Sequence, residues 1–130
     1  MKEVYEFLKK AGTFYLATVD GDQPRVRPFG AVIEFEGKLY LITGKKKDVY
    51  KQIEKNPKVE ITAIVEGKWM RIETQLVNDE NIPAREAMLE EYKPLKAVYS
   101  PTDGNMAVLY MKGGKATLSS VKDAPVVYTL

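Results

Sequence analysis

A chain of 130 residues with 45% hydrophobic and 29% charged residues has the make-up of an ordinary soluble globular protein, and its length points to one domain over 1–130. Its 20 basic and 18 acidic side chains leave a net charge of +2, too balanced to argue for nucleic acid or a membrane surface as partner. Histidine and cysteine are both absent, which excludes Ser-His-Asp and Cys-His hydrolases, disulfides and thiolate metal sites, and argues against a zinc enzyme. An enzyme of this composition is expected to borrow its reactive chemistry from a cofactor.

Taken in order, residues 2–11 are predicted to be a helix. Val4, Phe7, Leu8 and Ala11 recur at helical spacing, Lys2, Glu3, Glu6, Lys9 and Lys10 lie opposite, and Gly12 is the stop. A helix this short is marginal alone and has to dock on a body. Its opening residues, Met-Lys-Glu-Val-Tyr-Glu, lack the apolar core of a signal peptide, and no apolar run approaches the roughly 18 residues that span a bilayer, so a cytoplasmic protein is expected. Thr13–Val19, rich in aromatic and β-branched residues, is the first strand, and Asp20-Gly21 a hairpin turn. Arg25–Phe35 is predicted as a second strand that is bent, bulged or at an edge near Pro28 and Gly30, because proline cannot donate to a ladder.

After the Glu36-Gly37 turn, Lys38–Thr43 is the third strand, leading into a helix over 46–56 with Val49, Tyr50 and Ile53 as its apolar stripe. Asn56-Pro57 ends that helix, since a residue before proline resists helical angles. Val59–Val65 and Lys68–Val77 are the fourth and fifth strands, around Glu66-Gly67. In the fifth, Trp69, Arg71, Glu73 and Gln75 share one face and Met70, Ile72 and Thr74 the other. The first set is expected to face away from the core, which leaves Trp69 for an interface or a ligand. A helix over 83–93 starts on Pro83, 97–105 is a loop, and Met106–Lys112 with Lys115–Val121 form a last hairpin around Gly113-Gly114. The apolar tail Ala124–Leu130 is expected to pack on the body or on a partner. About seven strands joined mostly by short turns predict a mainly β (α+β) fold, an antiparallel sheet closed into a small barrel.

Three stretches carry possible chemistry. At the strand-to-helix junction, Thr43-Gly44-Lys45-Lys46-Lys47 sets lysines where helix amides are unpaired, either a seat for a phosphate or a solvated loop. Arg25 and Arg27 share one strand face and can point at one anion, or take part in surface ion pairs beside a bulge. Trp69 with Arg71 is a ligand contact or a dimer contact.

The order Phe-Tyr-Leu-Ala-Thr-Val-Asp-Gly (14–21), Pro-Arg-Val-Arg-Pro-Phe-Gly (24–30), Leu-Tyr-Leu-Ile-Thr-Gly (39–44), Lys-Lys-Asp-Val-Tyr-Lys-Gln-Ile (46–53), Asn-Pro-Lys-Val-Glu-Ile (56–61) and Trp-Met-Arg-Ile (69–72) resembles the pyridoxamine-5′-phosphate-oxidase-like flavoproteins, and among them the small general-stress and nitroimidazole-reductase-like members. The resemblance spans nearly the whole chain. It implies an antiparallel split β-barrel of about six to seven strands with two or three peripheral helices, binding FMN. It also implies a homodimer with FMN sites across its interface. By the same resemblance, Arg27 opens the FMN-contacting strand, Pro28 to Val32 run along the isoalloxazine with Pro28, Phe29 and Gly30 as cofactor-binding residues, Thr43 lies near the flavin, and Lys47, with Lys46 beside it, holds the phosphate. Trp69 stands where oxidases of the family often carry a glutamine that reaches FMN. Lys46 replaces a common serine or threonine, keeping charge but losing the helix cap, and Asp48 is expected to repel a phosphate placed close by. Vitamin-B6 oxidation is not carried over, because the arginine- and histidine-bearing C-terminal segment is missing. An FMN-dependent oxidoreductase acting on a small molecule is the expected function, with NAD(P)H a candidate donor that no Gly-x-Gly-x-x-Gly supports. The alternatives are a non-catalytic module that stores or senses flavin or binds another phosphorylated ligand or haem, and an interaction protein with an empty barrel.

Overall fold

Alternating burial along the strands builds one antiparallel sheet in the computed structural model, which describes residues 1–130. The elements are α1 (Lys2–Ala11), β1 (Phe14–Asp20), β2 (Gln23–Phe29), β3 (Val32–Phe35), β4 (Lys38–Gly44), α2 (Asp48–Lys55), β5 (Lys58–Val65), β6 (Lys68–Asp79), α3 (Ile82–Glu91), a 3-10 turn at Lys93–Ala97, β7 (Met106–Ser119) and β8 (Val126–Thr129). The ladder runs β2-β1-β5-β6-β7-β4-β3, with β8 added on β7. The two end strands, β2 and β3, are consecutive in the chain and separated only by Gly30 and Ala31. The sheet therefore curls until its edges meet without pairing, giving a mainly β split barrel. No helix is long and apolar enough to cross a membrane.

The inner surface holds the main core: Phe14 and Leu16 of β1, Ile61 of β5, Met70 and Ile72 of β6 and Leu41 of β4, sealed by Val4 and Leu8 of α1 and Val49 and Ile53 of α2. A second, smaller core lies outside β3, β4 and β7, where Ile33, Tyr40 and Val108 pack against Ala84, Met88 and Leu89 of α3. β4 is buried on both faces, so Leu39 to Thr43 read as a continuous apolar run and not as an alternation. β6 alternates as expected, with Met70, Ile72, Thr74 and Leu76 buried.

Two expectations are corrected. Arg25–Phe35 is two strands at opposite ends of the ladder, because Pro24 and Pro28 suit β2 only to an edge and the chain turns at Gly30. Met106–Ser119 is one long strand, not a hairpin at Gly113-Gly114. There the β6 register slips between Glu73 and Gln75, so two glycines oppose Thr74, whose hydroxyl donates to the Gly113 carbonyl at 2.7 Å. The apolar tail packs on the body as expected, through Tyr128 and Leu130, and forms β8 in doing so.

Gly114 has φ +94°, and a Cβ there would stand 1.9 Å from the Glu73 carbonyl oxygen, so only glycine fits the bulge. Gly114→Ala is expected to lower unfolding free energy by at least about 3 kcal/mol in urea titrations, whereas Gly113→Ala, with nothing within 4 Å, should cost less.

Candidate functional site

The seam between β2 and β3 opens into a cavity of about 390 Å³, within the size range of small-molecule sites. Its walls bring together Arg27, Pro28, Phe29 and Gly30 from the β2 end with Thr43 and Lys47 from the junction of β4 and α2. The opposite wall is Tyr92, Pro94, Leu95 and Tyr99, from the segment after α3. The Glu36-Gly37 turn pairs β3 with β4, but β2 is not a ladder neighbour of β4; the two meet because the barrel curls.

Arg27 lies on the inner face of β2, opposite Leu16. Its guanidinium donates to the Thr18 hydroxyl at 2.7 Å, to Gln52 Oε1 at 2.8 Å and to the Leu16 carbonyl at 3.2 Å. Thr18 in turn donates to Gln52 at 2.5 Å, and both are buried. Burial, helped by the like charge of Arg25, lowers the Arg27 pKa from its ordinary value, yet an arginine stays charged. All its partners are neutral, so its charge is uncompensated within the chain. Arg25 pairs with Asp20 at 3.1 Å, and, as expected from their shared strand face, it lines with Arg27 one polar groove beside the cavity.

The three lysines separate. Lys45 pairs with Glu80 at 2.7 Å, and its backbone N–H donates to the Asn105 carbonyl at 2.7 Å. The backbone N–H of Lys46 donates to Asn105 Oδ1 at 3.0 Å while its side chain is exposed and outside the cavity wall. Lys47 occupies the N-cap of α2 and makes no side-chain cap, so the first amides of the helix lack protein partners. Its ammonium is in no ion pair. Asn105 is itself set by Asp103, whose carboxylate accepts the amides of Ser100, Asn105 and Met106 and is held below its usual pKa by them. Asp48 lines a separate polar groove beyond Arg27, together with Arg25, Lys51 and Lys55, and not the cavity itself.

Trp69 is not brought to this cavity. It sits on the outer face of β6 between Ile64 and Ser119. That face continues through Tyr15 and Val26, and Val26 and Ile64 are 68% and 66% exposed. The cavity residues that the sequence did not single out are Tyr92, Leu95 and Tyr99. Tyr92 falls at the end of the helix expected over 83–93 and Tyr99 in the loop expected over 97–105, and neither place carries a spacing that points to a ligand. The Tyr92 hydroxyl donates to the Val32 carbonyl at 3.1 Å and accepts from the Val32 amide at 3.2 Å and from Lys9 Nζ at 3.0 Å, which moors this wall to β3 and α1. That bond is the main cause holding the Lys9 ammonium above its ordinary pKa.

The donor set is therefore polarised. One end offers helix amides, Lys47, the Thr43 hydroxyl and Arg27. The rest is the Pro28–Ala31 backbone facing an aromatic and apolar wall. A flat heteroaromatic ring carrying an anionic tail fits that chemistry.

The family model described as pyridoxamine 5′-phosphate oxidase matches residues 1–119. Among solved structures, a NimC/NimA family protein from Clostridium acetobutylicum is 47% identical, with TM-score 0.96 over 100% of this chain and 93% of that one. General Stress Protein 26 from Bacillus anthracis str. Sterne superposes with TM-score 0.79 at 17% identity, over 99% of this chain and 97% of that one. A heme binding protein from Mycobacterium smegmatis does so with TM-score 0.74 at 14% identity, covering 96% of this chain and 57% of that one. The last two likenesses show a shared fold. A comparison with curated proteins finds no match.

Glu80 ties Lys45, Asn78 and Arg85 together beneath the junction loop, and its pKa falls from 4.5 to about 2, first through the Lys45 and Asn78 hydrogen bonds. A carboxylate depressed in this way contributes stability above pH 4.5 and loses it as pH falls towards 2. Glu80→Gln should thus lower the thermal midpoint at pH 6–7, with the gap from wild type closing between pH 4.5 and 2 in scanning calorimetry.

Proposed function

The chain belongs to the pyridoxamine 5′-phosphate oxidase family, and from that premise we propose that it binds FMN at the barrel seam and serves as a dimeric FMN-dependent oxidoreductase for a small molecule. The observation that carries the reading is the joining, in one cavity, of the uncapped start of α2 and unpaired Lys47 with a backbone strip and an aromatic wall. When bound, FMN would supply two-electron transfer, which no side chain of a protein without histidine or cysteine offers.

The chain's own residues have binding and orienting roles. Lys47, the α2 amides and Thr43 would hold the phosphate, with the helix dipole adding to the attraction. Arg27, fixed by Thr18 and Gln52, sets a positive charge in the wall that favours an electron-rich ligand. Pro28, Phe29 and Gly30 would lie along the ring, opposite Tyr92 and Leu95. Lys46, outside the wall, would add only distant charge. NAD(P)H is the proposed electron donor.

The outer sheet face supports the dimer. Tyr15, Val26, Ile64 and partly buried Trp69 form an apolar surface that a second copy would cover. Trp69, excluded from its own chain's cavity, would then be free to contribute across the interface.

Titrating the apoprotein with FMN, riboflavin and FAD tests the cofactor. FMN should bind more tightly than riboflavin by about 10- to 100-fold, and Lys47→Ala should remove most of that advantage, since a hydrogen bond to a charged group is worth about 1.5–3 kcal/mol. Equal affinity for FMN and riboflavin would refute the phosphate seat. A yellow protein that fails to oxidise NAD(P)H with any acceptor would instead be a binding module. For the interface, Val26→Asp with Ile64→Asp should convert a dimer into a monomer in sedimentation equilibrium with the fold retained by circular dichroism; an unchanged mass would place the contact elsewhere.

A further inference from the structure

Tyr99 belongs to none of the motifs read from the sequence, yet it is only 8% exposed and packs in the smaller core with Ala84, Met88 and Met106. A phenol buried this deeply ordinarily finds a hydrogen-bond partner for its O–H. The Tyr99 hydroxyl makes no hydrogen bond within the chain, and it is not sealed from solvent either. It lies beside Gly44: a Cβ on that glycine would stand 3.3 Å from Tyr99 Oη and 3.0 Å from Asn105 Nδ2. The absence of a side chain at 44 is what lets the phenol come up against the end of β4.

Gly44 is flanked by Thr43 and by the lysines leading into α2. Thr43 is 2% exposed, and its hydroxyl also has no hydrogen-bond partner in the chain. Tyr99, Thr43 and Lys47 line the same cavity. Two hydroxyls of buried residues, both without partners in the chain and both reached by solvent, thus converge with a free ammonium and uncapped helix amides on one end of it.

From this convergence we infer that Tyr99 is a phosphate-binding and specificity-determining residue, its hydroxyl donating to the phosphate monoester of the ligand alongside Thr43. The inference rests on the FMN reading above and deepens it. The phosphate is its target because the phenol stands beside Gly44, on the side of the cavity where β4 passes into α2. The placement is also pre-organised. The Tyr99 amide donates to the Leu95 carbonyl at 2.9 Å, the Asp103 turn follows, and Asn105 returns to the amides of Lys45 and Lys46. The loop bearing the phenol and the loop bearing the lysines are stitched into one unit, so little ordering is needed on binding.

Tyr99→Phe removes a single oxygen and keeps the ring. Titration of the apo forms should show FMN affinity reduced about 10-fold or more and riboflavin affinity unchanged, as expected for one hydrogen bond to a charged group. The apo thermal midpoint should be unchanged or raised, because no protein partner is lost. Inorganic phosphate should raise the midpoint of the wild type more than that of Tyr99→Phe. Unchanged FMN affinity in a protein whose wild type prefers FMN over riboflavin would overturn the inference and leave the FMN reading standing. Equal losses for FMN and riboflavin, or a lowered apo midpoint, would also overturn it, assigning Tyr99 to the ring wall or to the core. A wild type with no preference for FMN would overturn both readings together.

Discussion

Two residues, Gly30 and Ala31, join the opposite edges of the sheet, and that short connection organises the molecule. Phe29 and Val32 can be no more than about 11 Å apart along the chain at ~3.6 Å per residue. A ladder that starts at β2 and ends at β3 must therefore bend round until its ends are adjacent. Pro24 and Pro28 withhold two donors from β2, so the edges meet without zipping together. The outcome is a seam with unladdered backbone polar groups in its lip, and backbone groups left unpaired in a recess are natural partners for a ligand.

Charge is distributed around that seam in two ways. Several cations are committed: Lys45 to Glu80, Arg25 to Asp20, Lys9 to Glu91. These exposed pairs contribute little stability and mainly fix loop geometry. Lys47 and Arg27 are different. Lys47 has no acidic partner, and Arg27 is held by hydroxyl, amide and carbonyl oxygens, which orient the guanidinium without neutralising it. The uncompensated positive charge thus lies in the wall of the cavity, which no acidic side chain lines. Asp48, the residue that looked most hostile to a phosphate, stands on the far side of Arg27.

How much of this was legible depends on the range of the interaction. The helices, the strand alternation of β6 and the tight turns are local consequences of periodicity and turn chemistry, and they were read correctly. The Gly113-Gly114 pair was misread as a turn because the same residues serve a bulge; what decides is the Glu73 carbonyl, far away in the chain, which only the folded ladder brings against Gly114. Arg25–Phe35 looked like one strand because Val32–Phe35 is as β-prone as what precedes it, and nothing local says that the two halves pair at opposite ends of the sheet. Arg27, Pro28, Phe29, Gly30, Thr43 and Lys47 were all singled out and do share one cavity, whereas Lys46 and Trp69 do not line it. Tyr92, Leu95 and Tyr99 escaped notice, since their place is set by packing of the post-α3 segment and not by any spacing.

β2 also links the cavity to the outer face of the sheet. Pro28 lines the cavity and, in the register, lies opposite Tyr15 in a row that continues through Thr62, Arg71, Thr117 and Val127. Inner-facing Arg27 and Phe29 alternate with outer-facing Val26 and Pro28 on this one edge strand. An edge strand has a ladder on one side only, so its position depends on what covers its faces. A second copy seated on Tyr15, Val26 and Pro28 would therefore press on the strand that carries Arg27, and a ligand gripping Arg27 and the Pro28–Ala31 backbone would stiffen the strand on which that copy rests. Assembly and ligand binding, were both to occur on the two faces of this one short strand, would stabilise each other by mass action whichever comes first.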